Sequence, residues 1–273
     1  MMTRKFLRKR FAALVPMGVA VALAMTACGS GGGSSGGGGA SGGDQKTITI
    51  ATSNDAPFSF TEQGSGELKG IDGEMINAIA QAKGWKIKVF TSEYATLIAA
   101  LNAKKADAIV DAMYITDERK KQINFTDPWY TEGEAMVVPA DSTLASRDDV
   151  KGKVLGAQTG TVFKDLVDSL GGSQVKLFDS QAALLAAVEN KQVDAVFTDS
   201  AVIGYSLVQK PNPKLKVVTP YKPFYPGIIG AGVRKDDTQL LQDLNSGLAD
   251  LKKTPKYVEI LKKYGLTEDN AIK

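Results

Sequence analysis

The chain has 273 residues, with 33 lysines and arginines against 30 aspartates and glutamates, one cysteine and no histidine. The absence of histidine excludes Ser-His-Asp and Cys-His nucleophile systems and the usual histidine-based metal sites, and a lone cysteine excludes an internal disulfide. Carboxylate chemistry, lysine chemistry and simple binding remain open.

The first 27 residues join a basic head (Arg4, Lys5, Arg8, Lys9 and Arg10) to an apolar stretch from Phe11 to Met25 and the small pair Thr26-Ala27. This is the pattern of a secretory signal. The stretch is interrupted by Pro16 and falls short of the roughly 20 residues a permanent membrane helix needs, so its removal is expected. Cys28 then stands where the lipobox of bacterial lipoproteins places the cysteine that is lipidated and becomes the new N-terminus. Met25 departs from the leucine most often found three residues before it, and the competing reading is a secreted protein with an incidental thiol. From Gly29 to Gly43 the chain is only glycine, serine and one alanine, which cannot bury enough apolar surface to fold. Residues 28–43 are therefore read as a lipidated anchor and tether, with an end-to-end distance of roughly 20–23 Å. Removal of the five basic signal residues leaves 28 basic against 30 acidic groups, a net charge of −2, so basicity offers no case for nucleic-acid binding.

Thr47 to Thr52 alternates as a buried strand, Gly73 to Lys83 has helical spacing, and Lys86 to Phe90 alternates again. Tyr94 to Ala103 reads as a helix and Ala108 to Val110 as a short strand. This β-α-β-α-β order signals an α/β lobe. The rhythm returns with strand Lys153 to Gly156, helix Val162 to Leu170, strand Val175 to Phe178, helix Gln181 to Glu189 and strand Val193 to Thr198. Two lobes of similar build follow. Glu134 to Pro139 suits one strand crossing between them and Tyr225 to Val233 a second. Leu240 to Leu251 and a segment from Pro255 to Gly265 complete the chain as helices. The expected division is 45–134 for the first lobe, 135–224 for the second, and 225–273 for the return to the first.

Several short motifs occur in order: Ala56-Pro57-Phe58, Gly70-Ile71-Asp72-Gly73-Glu74, Ile115-Thr116-Asp117-Glu118-Arg119, Phe125-Thr126-Asp127-Pro128-Trp129-Tyr130, Gly160-Thr161, Asp194-Ala195 and Thr198-Asp199. Together they resemble the amino-acid-binding, family 3 group of bacterial extracellular solute-binding proteins that feed ABC importers. The resemblance runs from about Thr47 to Leu266. It implies an α/β, two-lobed periplasmic-binding-protein-like fold of type II, each lobe a sheet flanked by helices, joined by two crossing strands. It also implies a non-enzymatic monomer that closes over a small zwitterion, uses no cofactor or metal, and delivers its ligand to a membrane permease, touching the membrane only through the lipid anchor.

A free amino acid carries a carboxylate and an ammonium that must both lose water, so each needs a committed partner. Arg119 suits the carboxylate, since a guanidinium matches two oxygens in a way lysine does not; the alternative is a surface arginine beside Lys120 and Lys121. Asp199 ends a strand and begins a helix, at the carboxyl end of a sheet where α/β folds keep their crevices. It is expected to receive the ammonium, with a plain helix cap as the alternative. Thr161 precedes a helix and is expected to direct backbone N–H groups and its hydroxyl at the carboxylate. The resemblance extends this set to Gln158 and Val162, although relatives usually carry a hydroxyl or glycine where Val162 stands. Tyr94 falls where relatives place an apolar or aromatic wall. Asp55 stands where another ring is common, which suggests either a cationic or strongly hydrogen-bonding ligand group or a different wall built by Phe58 or Phe60. At Asp111-Ala112-Met113-Tyr114 relatives usually offer glycine or serine for Ala112 and a smaller hydroxyl for Tyr114; Met113, Trp129 and Tyr130 are read as packing. These departures are also similar to the branch that binds cyclic zwitterions such as ectoine. A dehydratase of cyclic acids on the same fold is the competing enzymatic reading.

Overall fold

The computed structural model describes residues 45–62 and 64–272. The expected signal segment, Cys28 and the tether lie outside them. The described residues begin with β1 (Thr47–Thr52), β2 (Phe60–Thr61), β3 (Leu68–Lys69), α1 (Ile71–Lys83), β4 (Lys86–Thr91), α2 (Leu97–Asn102) and β5 (Ala108–Ile109). They continue with α3 (Asp117–Gln122), β6 (Asn124–Phe125), β7 (Tyr130–Glu132), β8 (Glu134–Pro139), β9 (Val154–Gln158), α4 (Phe163–Ser169), β10 (Gln174–Phe178) and α5 (Gln181–Glu189). The remainder is β11 (Ala195–Asp199), α6 (Ser200–Gln209), β12 (Leu215–Val217), β13 (Gly227–Ile229), β14 (Gly232–Val233), α7 (Thr238–Lys252) and α8 (Pro255–Lys263).

Two five-stranded sheets organise these elements, ordered β4-β1-β5-β14-β6 and β10-β9-β11-β8-β12. In each, the first strand of a β-α-β-α-β run lies between the second and third with all three parallel, and the remaining strands close the sheet in antiparallel pairings. The chain order therefore reverses at β1 in one sheet and at β9 in the other. A crevice opens at the carboxyl ends of the strands on either side of such a reversal. Residues just past β1, β5, β9 and β11 are the ones this topology offers to a ligand.

The parallel strands carry the core. Ile48 and Ile50 of β1 pack with Ile76 and Ile79 of α1, and Leu155 and Phe197 in the second sheet belong to the same contiguous cluster. Each such buried side chain contributes about 1.5–3 kcal/mol. A two-stranded antiparallel pair, β7 with β13, joins the lobes in register Gly227 to Glu132 and Ile229 to Tyr130.

The crossing therefore differs from the sequence expectation. Glu134–Pro139 is not a crossing strand: as β8 it pairs antiparallel with β11 on one side and β12 on the other, inside the second sheet. All six of its residues are buried, and an interior strand needs that continuous apolar run on both faces. The crossing is made by the shorter segment before it, with Gly133 between. Tyr225 to Val233 resolves into a crossing strand, β13, and a strand of the first sheet, β14. Among the described residues no helix is long and apolar enough to cross a membrane.

Candidate functional site

The carboxyl ends of the parallel strands meet across a cleft whose enclosed cavity is about 20 Å³, room for one or two water molecules. Its first-lobe wall holds Ser53, Asp55 and Phe58 after β1, Tyr94 before α2, and Asp111, Ala112 and Tyr114 after β5. The second-lobe wall holds Gln158, Thr161, Val162 and Phe163 between β9 and α4, with Gln181 at the start of α5 and Asp199 at the end of β11.

Local sequence explains how these groups are held. Thr116 caps α3, its hydroxyl accepting from the Arg119 backbone N–H at 3.2 Å, which places Arg119 in the first turn. The Arg119 guanidinium then turns back to donate to the Tyr114 carbonyl at 2.8 Å and, from the other lobe, the Gly160 carbonyl at 2.9 Å. Arg119 is 8% exposed, its described hydrogen bonds go to carbonyls rather than a carboxylate, and three of its five donors remain for other partners. The Tyr94 ring lies 5.7 Å from its guanidinium carbon, within cation–π range. Ala112 has φ of 46°, in the left-handed region, and is fixed there by the buried Asp72 carboxylate, which accepts from its N–H. The Gly-Ile-Asp-Gly-Glu motif thus supports the site from behind.

Asp199 occupies the N-cap position of α6 but makes no side-chain capping bond. Glu132, arriving on the crossing strand, accepts instead from the Ala201 N–H at 2.7 Å and from the Ser200 hydroxyl at 3.0 Å. That substitution releases the Asp199 carboxylate to face the cleft, where it accepts from the Tyr114 hydroxyl of the other lobe at 3.0 Å. Burial pushes Asp199 well above the ordinary carboxylate range, and the charge of Glu132 adds to the effect. Glu132 itself is pushed up to about 7, chiefly by burial. Burial likewise raises Asp55 and, more strongly, Asp111, to which the Asp55 charge contributes.

Asp55, Tyr94, Asp111, Ala112, Tyr114, Gln158, Thr161, Val162 and Asp199 all line the cavity, and Arg119 lies against it through Tyr94, Tyr114 and Gly160. One expected role changes. The Thr161 hydroxyl and N–H both donate to the Gln158 carbonyl, at 2.8 and 3.3 Å, so this turn consumes the donors foreseen for a ligand carboxylate. Of the two alternative walls, Phe58 lines the cavity, whereas Phe60 packs with Tyr205 and Tyr264. Ser53, Phe163, Gln181 and the capping role of Glu132 were not foreseen. Phe163 stands edge-on to Tyr114, ring centres 5.7 Å apart.

Two glycines permit the close approach of the walls. A Cβ on Gly160, whose φ is +81°, would lie 2.7 Å from the Ala95 Cα of the opposite lobe. One on Gly227 would fall within the Tyr114 ring. The cleft is thus two opposed walls that bond to each other through Tyr114 to Asp199, Gln158 to Asp55 and Arg119 to Gly160.

The sequence profile of the bacterial extracellular solute-binding proteins, family 3, matches residues 48–267. The chain belongs to this family. Among its relatives, a "Probable histidine-binding protein" of Neisseria gonorrhoeae is 30% identical, the match covering 89% of this chain and 91% of that protein. "ABC transporter arginine-binding protein 1" of Escherichia coli (strain K12) is 33% identical over 71% of this chain and 80% of its own length. Among solved structures, an ancestral arginine-binding protein bound to arginine superposes with a TM-score of 0.73 at 33% identity, covering 81% of this chain and 99% of that one. The ancestral amino acid-binding protein AncCDT-1, a precursor of cyclohexadienyl dehydratase, gives 0.72 at 28% identity, with coverages of 80% and 95%. Family membership and these neighbours establish the two-lobed fold and place the chain among amino-acid-binding proteins of ABC transporters.

Proposed function

We propose that this chain is the extracellular substrate-binding lipoprotein of an ABC importer, capturing a polar amino acid by lobe closure and presenting it to a membrane permease. Residues 45–133 with 225–273 act as one lobe, residues 134–224 as the other, since Glu134 pairs with Asp199 in the second sheet, and Cys28 with its tether holds both near the membrane. The observation that carries the reading is the opposed pair in the cleft. A buried guanidinium, Arg119, has donors to offer on one side, and a buried carboxylate, Asp199, has been freed from helix capping on the other. An α-amino acid presents the complementary carboxylate and ammonium. Relatives named for arginine, histidine and glutamine support the same ligand class.

The cavity, about 20 Å³, is smaller than an amino acid, so entry requires the lobes to part about β7 and β13. The ligand's charges then replace the bonds the walls make to each other. Arg119 exchanges the Gly160 carbonyl for the ligand carboxylate, and Asp199 exchanges the Tyr114 hydroxyl for the ammonium. Closure removes water from both pairs at once.

Calorimetric titration with amino acids, ectoine-type zwitterions, sugars and small peptides tests the proposal. A zwitterion is expected to bind. Arg119→Ala is expected to remain folded and to weaken binding by about 2–5 kcal/mol, since truncating one partner of a buried charge pair costs that much; unaltered affinity would remove the carboxylate role. Product analysis after prolonged incubation addresses the dehydratase reading, which requires turnover.

A further inference from the structure

The cleft holds more carboxyl groups than a zwitterion pairs with. Asp55, Asp111 and Asp199 line it, no lysine or arginine is among the lining residues, and Arg119 at its edge is the nearest cation the site offers. An amino acid's backbone brings one charge of each sign, matched to Arg119 and Asp199. That match leaves two carboxylates over, side by side. Asp111 is 3% exposed.

Asp111 accepts from the Ser53 backbone N–H at 2.8 Å, and the donors left for Asp55 are in deficit. The Ser53 hydroxyl lies 3.0 Å from Asp55 and 2.5 Å from Asp111, yet has a single hydrogen to give. The Thr52 hydroxyl is shared in the same way between Asp111 and the Ser59 carbonyl, at 3.0 and 2.8 Å. From the second lobe, Gln158 reaches Asp55 only at 3.3 Å. A separate observation marks the same cavity as built for a polar ligand group. Gln181 lines it at 7% exposed; its Oε1 accepts from the Thr198 hydroxyl at 2.6 Å, and its Nε2, a donor, has no hydrogen-bond partner among the described residues.

We propose that Asp55 and Asp111 form a subsite for a cationic side chain, which makes the ligand a basic amino acid. The proposal rests on the amino-acid reading of the Arg119 and Asp199 ends of the cleft. A side-chain ammonium or guanidinium supplies a positive charge that favours ionisation of both acids, and several donors, which Asp55 most lacks; a guanidinium addresses both acids together. Gln158, closing from the other lobe, adds its amide to the same end. A neutral or acidic side chain in this position leaves the pair unmatched, and buried polar groups left unmatched reject a ligand strongly.

Calorimetric titration of the protein with L-arginine, L-lysine, L-ornithine and L-2,4-diaminobutyrate, against L-citrulline and L-glutamine, tests this. Citrulline replaces the guanidinium of arginine by a neutral group of similar shape. At least one basic amino acid is expected to bind on the order of a hundredfold more tightly than its neutral counterpart. In Asp55→Asn and Asp111→Asn that preference falls tenfold or more. Equal affinity for arginine and citrulline, or a glutamine preference, would overturn the cationic subsite and leave the amino-acid reading intact. Failure of every amino acid to bind would overturn both, and stabilisation by calcium or magnesium alone would assign the two acids to a metal instead. The comparison of ligands on the unaltered protein stands even if a variant fails to fold.

Discussion

Asp199→Asn separates binding from stability. In the folded protein Asp199 is 6% exposed, accepts from the Tyr114 hydroxyl at 3.0 Å and sits near the charge of Glu132. An asparagine keeps the shape and still accepts from Tyr114 but carries no charge to bury. The free protein is therefore expected to gain about 1–2 kcal/mol, or roughly 2–8 °C in Tm for a body of this size. The ligand ammonium loses its carboxylate, and a buried charge pair with one partner removed costs about 2–5 kcal/mol, some thirtyfold to several thousandfold in Kd. Thermal melts of both proteins and calorimetric titration with the best ligand read the two effects separately. If Asp199 were a plain helix cap, the substitution would lower Tm by an amount typical of a lost cap and leave affinity unaltered. That result would refute the assignment.

Gly160→Ala places a Cβ 2.7 Å from the Ala95 Cα at a φ of +81° and is expected to weaken binding at least tenfold with a loss of stability as well; small-angle scattering of the saturated variant should show the more extended form. Asp72→Ala removes the acceptor that holds Ala112 at φ of 46° and leaves a buried N–H unpaired, with an expected cost of about 1–3 kcal/mol by chemical denaturation and a weaker ligand response. Burial raises Asp72 and Glu132 to about 7 and moves Asp111 and Asp199 upward as well. The unfolded chain releases these protons near pH 4 while the folded one retains them. The unfolded state thus binds fewer protons over this range, and stability of the free protein is expected to fall as pH rises from about 4 to about 7. The ligand-induced rise in Tm should increase over the same interval as the acids ionise; a free-protein Tm that climbs steadily from pH 5 to 7 would contradict the burial argument.

Site residues were legible where local sequence and topology agree. Asp199 follows a buried run and precedes helical spacing, so the strand-end rule places it at the cleft without a partner in view; Arg119 was found through its motif, and the capping role of Thr116 beside it emerges only from the structure. The capping role of Glu132 was not legible. Its partner Ser200 lies 68 positions away, and only the course of the crossing strand brings them together. The apolar run of β8 misled for a related reason: burial on both faces produces the same pattern in an interior strand as in an extended connector, and strand pairing decides between them. Thr161 shows a third limit. A hydroxyl before a helix is a good donor in isolation, but the tight turn after β9 directs it to the Gln158 carbonyl, a local competition that side-chain type alone does not reveal.

The relation between Glu132 and Asp199 explains why the site tolerates an acid that folding disfavours. A helix start needs an acceptor, and Asp199 stands in the position to supply one. Had it done so, its carboxylate would have turned toward the backbone of α6 and away from the cleft. Glu132 meets that demand from the crossing pair. Mutual disfavour of the two acids' charged forms is the consequence, and on the proposed function a ligand ammonium relieves it. On that proposal binding is coupled to the crossing pair: the cation that satisfies Asp199 also removes a cost carried at Glu132, so the closed arrangement gains stability from the ligand at both places.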